Sequence, residues 1–310
     1  MRQRFAPLDA AILVPFIIFT LIWGSTWIVI KDQLGSVPPQ WSVAYRFVIA
    51  AAAMLLLLAR FRGERMPLDR RSLLVVTFLG VMQFAVNFNV VYFAELHITS
   101  GVVATVFALM LIPSTLLAWG FLGHRPTRRF IASSVVAIGG IGLLFVNEIR
   151  ANPTGAQQIL AGIGLTVIGM LAASSANVFQ ARPEVRRFPL FAMLGWSMAA
   201  GAVANLLFAY AVAGPPVFDS RTGYWLGLLY LALPASVLTF SLYYPVVRKI
   251  GPAKAAYSSV LVPIIAMGFS TWLEDYSWTP LAIAGALLAL GGMVGALSRP
   301  RAVVAAPDAG

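Results

Sequence analysis

Ten continuous apolar runs constrain this chain more than any other feature. A helix that crosses a bilayer needs about 20 mostly apolar residues. The runs lie at 11–30, 41–59, 72–93, 98–120, 130–147, 159–180, 190–212, 224–244, 252–273 and 278–298. They do not alternate, and they far exceed the roughly ten residues of a barrel strand. Only 11% of the 310 residues are charged, against about a quarter in soluble domains. The sequence therefore predicts an all-α integral membrane protein with ten transmembrane helices.

The basic residues, which give a net charge of +11, indicate how the runs are oriented. Connections on the cytoplasmic side of a membrane are enriched in Lys and Arg. Eighteen of the 22 basic residues lie on one side of the predicted topology: Arg2, Arg4, Arg60, Arg62, Arg65, Arg70, Arg71, Arg125, Arg128, Arg129, Arg182, Arg186, Arg187, Arg248, Lys249, Lys254, Arg299 and Arg301. The other side holds only Lys31, Arg150 and Arg221. This division predicts that both termini are cytoplasmic, and it explains the basic charge without a nucleic-acid partner.

The sequence lacks the residues that several kinds of function would require inside the membrane. The chain has no cysteine, and its eleven Asp and Glu residues all fall in connections or at the ends of runs, as do His97 and His124. A membrane enzyme needs paired carboxylates or histidines at its site, and a proton relay needs a titratable group inside the membrane. We therefore expect no catalytic residue, no metal site, no cofactor and no proton coupling through a buried acid.

The two halves of the chain resemble each other at a spacing of 150 to 152 residues. Pro113 matches Pro263, and the glycine-rich stretch 137–142 matches 289–294. Each half holds five runs, so the second half enters the membrane inverted, as in many secondary transporters. We expect a first repeat over 1–147, a periplasmic linker over 148–158, a second repeat over 159–298 and a cytoplasmic tail over 299–310.

The matched prolines predict paired helix interruptions. Proline removes a main-chain hydrogen bond from a helix, and interruptions at corresponding positions of two repeats point to a transport path. We assign Pro113 and Pro263 to helix breaks that gate this path. An ordinary kink without function is the alternative.

Polar and aromatic residues inside the runs are candidates for a wet central cavity, because such groups cannot face lipid without cost. The candidates are Trp23, Arg46, Gln83, Asn87, Asn89, Asn177, Thr239, Tyr243, Tyr257 and Ser258. For each of them, a hydrogen bond between helices is the structural alternative. Arg46 either binds a substrate carboxylate, or extends its head to the outer interface, or forms a structural pair. The face of the third run that lines the cavity is left open.

Glycines in the fifth and tenth runs predict close helix packing. They are Gly139, Gly140, Gly285, Gly291 and Gly292. The contact lies either within one chain or between two copies in a homodimer.

The motifs IWGSTWIVIK (22–31), YRF (45–47) and LMLIPSTLLAWGFLGHRPTRR (109–129) resemble the drug/metabolite transporter superfamily. Within it, the chain is most similar to the EamA-type branch and to bacterial aromatic amino-acid exporters of the YddG type. The resemblance covers nearly the whole chain. In one departure, many relatives have Gly-Glu where this chain has Gly123-His124, whereas the second half keeps an acid, Glu274.

The resemblance implies a ten-helix, inverted-repeat carrier that exports amino acids or related metabolites from the bacterial inner membrane by alternating access. Members of this branch resemble uniporters driven by the substrate gradient, in agreement with the missing intramembrane acids. Trp23 would then contribute an apolar wall to the cavity. The alternatives are a broad drug or metabolite efflux carrier, a membrane enzyme that acts on lipid through Arg46 and a loop histidine, and a protein that does not transport.

Overall fold

The computed structural model describes residues 10–60, 65–67, 69–123, 125–151, 155–250 and 258–297, and these residues are almost entirely helical. The α-helices are α1 (Ala10–Gln33), α2 (Pro39–Arg60), α3 (Arg70–Leu79), α4 (Asn87–Glu95), α5 (Ser100–Ala108), α6 (Leu111–Leu122), α7 (Arg128–Ala151), α8 (Ala156–Gln180), α9 (Pro183–Arg186), α10 (Leu190–Ala213), α11 (Thr222–Ala232), α12 (Thr239–Ile250), α13 (Ser258–Leu273) and α14 (Pro280–Leu297). Two further segments are π-helical, π1 (Gly80–Val86) and π2 (Leu233–Leu238).

Nine helical stretches of the described chain are long and apolar enough to cross a membrane. Three of them are composite, because α3–π1–α4, α5–α6 and α11–π2–α12 each continue as one span. The predicted run 252–273 coincides with α13, which has 16 residues, and the first part of that run lies outside the described residues. The all-helical membrane class is therefore confirmed, with nine spans of sufficient length in the described chain.

The connections gather at two ends of the helix bundle. At one end, Lys31 Nζ donates to the backbone oxygen of Glu95 at 2.5 Å, and the backbone N–H of Ser100 donates to the Glu274 carboxylate at 3.2 Å. We call this the arginine-poor end. At the other, Arg71 and Arg182 line one groove, and we call it the arginine-rich end. The structure thus groups these connections as the basic residues predict.

The third and eighth spans each contain a π-helical segment, which periodicity does not predict. π1 begins at Gly80 and π2 at Leu233, 153 residues later, close to the internal repeat spacing. At π1, the backbone packs directly against the backbone of α10. A Cβ atom added to Gly80 would lie only 2.8 Å from Gly201 N, so a larger residue would not fit there. In π2, Pro234 lacks the N–H that an α-helix would use. π-helical turns of this kind are frequent at functional sites.

The fourth span breaks where a proline predicts it, but the ninth does not. α5 ends at Ala108 and α6 begins at Leu111, two residues before Pro113. By contrast, α13 runs without interruption through Pro263, so the expectation of a break there is wrong. Pro263 is the sixth residue of α13, and its missing N–H removes only one hydrogen bond near the start of the helix.

The fourth and ninth spans meet at the arginine-poor end and separate toward the other end. α5 packs on α13, where Gly101 N–H donates to Ser270 Oγ at 2.8 Å. Beyond the break, α6 packs on α8 through a hydrogen bond from Ser114 Oγ to Ser174 Oγ at 3.0 Å. α13 instead packs along α1. The two spans therefore form a V that is closed at the arginine-poor end.

Glycines bring α7 and α14 into main-chain contact within one chain. A Cβ on Gly140 would overlap Ala289 N and would lie 2.6 Å from Gly285 O. A Cβ on Gly139 or Gly291 would meet no atom within 4 Å from the rest of the described chain, apart from the backbone of its own helix. Only one glycine face therefore serves the packing inside the chain.

We expect Gly140→Val to lower the free energy of unfolding by about 1–3 kcal/mol, because the new methyl groups overpack a main-chain contact. Gly139→Val is the matched control, since its side chain enters open space, and it should change stability by less than about 0.5 kcal/mol. Thermal unfolding of the detergent-purified protein, followed by tryptophan fluorescence, measures both. Equal melting temperatures for the two variants would contradict the packing.

Candidate substrate path

Arg46 is enclosed in the protein and does not reach the outer interface. Its residue surface is 1% exposed, its Nε donates to Ser236 Oγ of π2 at 3.2 Å, and its guanidinium lies 4.4 Å from the ring centre of Phe88. Such a placement over an aromatic ring stabilises a cation away from water. The alternative of an extended, interfacial Arg46 is therefore wrong. Its Nη1 has no hydrogen-bond partner among the described residues.

A buried polar column continues from Arg46 along α4 to the arginine-poor end. Phe88, Tyr92 and Glu95 share one face of α4 at spacings of four and three residues. Tyr92 Oη donates to Gln33 Oε1 of α1 at 3.1 Å. Glu95 is 0% exposed, and neither carboxylate oxygen has a partner in the described chain. Glu95, which the sequence places beyond the end of the third run, is therefore buried inside the protein.

Trp23 lies in an aromatic cluster rather than against lipid alone. Its ring centre is 5.1 Å from that of Tyr243, 5.5 Å from that of Phe19 and 5.7 Å from that of Phe240. Its Nε1 donates to the backbone oxygen of Ala235 in π2 at 3.3 Å. Trp23 and Tyr243 are both only half-buried. The cluster therefore joins α1 to π2 and α12 while leaving aromatic surface accessible.

Aromatic contacts connect this cluster to Arg46 across the third span. Phe240 meets Phe84 of π1 at 5.5 Å, Phe84 meets Phe47 at 5.2 Å, and Phe47 meets Phe88 at 4.9 Å. The contacts pass through both π-helical segments or their borders. Trp23 and Arg46, which the sequence could not relate, thus belong to one continuous set of contacts.

The amides of the third span separate into two roles. Asn89 Nδ2 donates to Asn205 Oδ1 of α10 at 2.7 Å, and Asn205 Nδ2 donates to Phe84 O at 2.9 Å. The structure therefore places Asn89 in a contact between helices and not in a cavity. Gln83 and Asn87 are also buried. Gln83 Oε1 and Asn87 Oδ1 have no partner in the described chain, and neither has Asn89 Oδ1, since Asn89 bonds Asn205 through Nδ2 alone.

The remaining candidates are spread along the second repeat. Asn177 is half-buried, with Nδ2 at 3.9 Å from Met110 Sδ. Thr239 is 0% exposed and donates to Ala235 O of its own span at 2.6 Å. Ser258 is buried at the start of α13, and Tyr257 lies outside the described residues.

The arginine-poor end is closed by a hydrogen-bonded contact between α5 and α13. The Glu274 carboxylate accepts from Ser100 N–H at 3.2 Å, from Ser100 Oγ at 2.5 Å and from Ser270 Oγ. A negative group at a helix N-terminus pairs with its free N–H groups and its dipole. A Cβ on Gly101 would lie 2.7 Å from Met267 Sδ. This contact, which we call the Ser100–Glu274 latch, joins the two arms of the V.

A second polar contact at the same end is partly exposed. Arg221 pairs with Asp219 at 2.9 Å and with Asp32 of α1 at 3.7 Å. The backbone N–H of Arg221, followed by its side chain, holds the pKa of Asp219 below its usual range. The Asp32 side chain is 61% exposed, so this pair contributes little to stability.

An open groove of about 770 Å³ lies at the arginine-rich end. Its lining includes two arginines and three aromatic residues, Arg71, Arg182, Phe78, Phe121 and Phe179. The Arg182 guanidinium is 5.5 Å from the Phe179 ring centre and 5.7 Å from that of Phe121. Of the residues predicted for the cavity, none that the structure describes lines this groove.

Comparison with known proteins identifies relatives over nearly the full length. The sequence profile of the EamA-like transporter family matches residues 10–146 and again 160–298. The chain is 30% identical over 279 residues to an uncharacterized inner membrane transporter of Escherichia coli (strain K12), YedA, covering 87% of this chain and 84% of that protein.

Two relatives have names that include a substrate class. A probable amino-acid metabolite efflux pump of Salmonella typhimurium is 24% identical, covering 89% of this chain and 91% of the relative. A probable terminal-alkyne amino-acid exporter of Streptantibioticus cattleyicolor is 26% identical, covering 90% of both. A solved crystal structure superposes with a TM-score of 0.66 at 18% identity, covering 93% of this chain and 96% of the other, which shows a shared fold alone.

Sequence reasoning missed Glu95, Tyr92 and Gln33, although a signal was present. Phe88, Tyr92 and Glu95 recur at helical spacing toward the end of the third run, and extending the helix to Glu95 would have placed all three on one face. The missing information was which helices cover that face.

We expect Asn205→Leu and Asn89→Leu each to lower stability, because each leaves a buried amide without its partner. The double variant should lose less than the sum of the two single losses. The expected coupling is about 0.6 kcal/mol and at most about 1.7 kcal/mol, as for hydrogen bonds between membrane helices. Thermal unfolding of the four proteins gives this cycle, and strictly additive losses would show that the two amides do not interact.

Proposed function

Since the chain belongs to the EamA-like transporter family, we propose that it exports amino acids with apolar or aromatic side chains across the bacterial inner membrane. The observation that carries this proposal is the half-buried aromatic cluster around Trp23, which lies where the spans of the two halves meet. The names of the amino-acid exporting relatives support the substrate class. Transport of this kind requires no enzyme activity.

The proposed architecture has ten spans in two inverted repeats, with both termini in the cytoplasm. The repeats cover 1–147 and 159–298, joined by the periplasmic linker 148–158, with a tail over 299–310. The two profile matches support the repeat, and so do π-helical segments 153 residues apart. The grouping of basic connections at one end supports the orientation.

We propose that transport proceeds by alternating access, which the two arms of the V support. With the arginine-rich end in the cytoplasm, the structure corresponds to a carrier that is closed toward the periplasm and spread toward the cytoplasm. Substrate enters between α6 and α13. Opening of the Ser100–Glu274 latch, together with closure of the cytoplasmic arms, would release it outside.

We assign contacts to the substrate by chemistry. Trp23 and Tyr243 offer aromatic surface for an apolar side chain. Arg46 Nη1 is a buried donor without a partner in the described chain, which suits a carboxylate that reaches the column when the arms move. Gln83, Asn87, Asn177 and Ser258 complete the proposed polar lining. We propose that substrate moves down its own gradient, because Glu95 and Asp219 are the buried acids of the described chain and both lie at the arginine-poor end.

Counterflow of labelled aromatic and aliphatic amino acids into proteoliposomes, with and without an imposed pH gradient, tests the function. We expect saturable exchange that is not driven by the gradient. Exchange that occurs only with the gradient would contradict uniport. A lack of movement for every amino acid tested would contradict the substrate class and favour a drug or other metabolite carrier with the same fold.

We expect Trp23→Ala to lower kcat/KM about tenfold for aromatic relative to aliphatic amino acids, because an apolar wall of the site is removed. The variant should still insert and fold. Trp119→Ala is the matched control, since this tryptophan is 48% exposed on the protein surface and should leave the ratio unchanged. Initial rates across a substrate panel measure both, and an unchanged ratio for Trp23→Ala would contradict its place in the site.

A further inference from the structure

Glu95 is a buried acid for which neither transport nor packing provides a use. It ends α4, is 0% exposed, and has no hydrogen bond to either carboxylate oxygen within the described chain. Lys31 is close, but its Nζ donates to the backbone oxygen of Glu95 at 2.5 Å and so stabilises the C-terminus of α4. The carboxylate itself is left without a donor.

An ionised carboxylate in this position is costly. Removing a charge from water without a hydrogen bond or an ion pair to its oxygens is strongly unfavourable, and buried acids of this kind neutralise instead. Zero exposure also means that no space large enough for water adjoins the side chain. A proton is the one ligand that satisfies the group without needing volume.

The surrounding charges do not replace that proton. Lys31 of α1 and Arg46 of α2 attract an ionised Glu95, and Glu274 repels it. Within their described bounds, α5, α8 and π1, which also pack near α4, carry no Asp, Glu, His, Lys, Arg or Tyr. Tyr92 on α4 is engaged with Gln33. His97 lies beside Gly162 of α8.

The position of Glu95 in the chain links its burial to the opening and closing of the arginine-poor end. Four residues separate it from Ser100, which carries the latch to α13. The connection 96–99 joins Glu95 directly to Ser100, so we expect it to move and to expose Glu95 when α5 leaves α13. Glu274 differs, because its oxygens are hydrogen-bonded in the closed latch and it needs no proton to remain there.

We propose that Glu95 is a proton-binding site at the arginine-poor end, occupied when that end is closed and empty when it opens. The direction of the pH dependence follows from the burial of Glu95 in the closed state. Acid on that side favours the closed state, and a rise in pH favours opening. The proton enters and leaves on the same side, because Glu95 ends α4 at the arginine-poor end, next to the connection that moves with the latch. The site therefore regulates the transport step of the proposed function and drives no transport itself.

The chain has no cysteine, so one engineered thiol reports opening. Ala104 in α5 is 1% exposed, and Ala104→Cys should react with a membrane-impermeant thiol reagent only when α5 leaves α13. Rates are measured in proteoliposomes at about pH 5.5 and about pH 8. They are normalised to the same cysteine in unfolded protein, which removes the pH dependence of the thiolate.

In the Ala104→Cys background, we expect normalised labelling to be at least about tenfold faster at the higher pH, because the release of one proton on opening changes the ratio of open to closed protein by up to about tenfold per pH unit. Glu95→Gln mimics the protonated acid and should label slowly at both values. Asp32→Asn is the matched control, because this acid lies at the same end but is exposed, and it should keep the pH dependence. Glu95→Asp should also keep it, which covers a failure of the Gln variant to fold.

Labelling of the Ala104→Cys protein that does not change with pH would overturn the proposal without any Glu95 variant. An unaltered pH dependence in folded Glu95→Gln would assign the proton to another group and would also overturn it. Counterflow, measured separately, distinguishes the two hypotheses. Loss of transport with intact pH-dependent labelling would reject the proposed function and leave the proton site standing.

Discussion

The need to satisfy every main-chain polar group inside the membrane determines how this structure is built. Regular helices do so by themselves, so the irregular segments need side chains to complete them. Asn205 donates to Phe84 O in π1, Trp23 donates to Ala235 O in π2, and Ser174 donates to Met110 O at the break of the fourth span. From the sequence, such polar and aromatic side chains are candidates for a cavity. In the structure, they bind backbone carbonyl groups in segments where the α-helix is interrupted.

As a result, the helical segments that can change conformation are also the segments that polar side chains contact. A π-helical turn or a broken helix changes its hydrogen bonds at lower cost than a continuous helix does, and both are known at positions of functional movement. Here the deformable segments border the aromatic contacts that connect Trp23 to Arg46. Movement of the arms would therefore change the contacts around Trp23 and Arg46 directly, without transmission through distant residues.

The spans, their grouping at two ends and the close packing of Gly140 were predictable, because each depends on composition or on small residues along one helix. The faces of the third span were not. A π-helical turn contains an extra residue and rotates the helix beyond it, so a periodicity of 3.6 cannot relate Gln83 to Asn89 across π1. The burial of Glu95 could not be predicted from the sequence either. The end of a run shows where a helix stops, but the neighbouring helices determine whether its last side chain meets water.

The two ends of the carrier are not chemically equivalent, although the proposed repeat relates them. With a repeat spacing of 150 to 152 residues, the position equivalent to Glu95 falls at Pro245, Val246 or Val247, which are all apolar. In an inverted repeat, that position lies at the opposite end of the molecule. Closing the arginine-rich end would therefore bury no matching acid, and proton binding of the kind proposed for Glu95 would act from one side only. A carrier with two nearly symmetrical arms thereby acquires a directional response to pH, through one residue that its second half lacks.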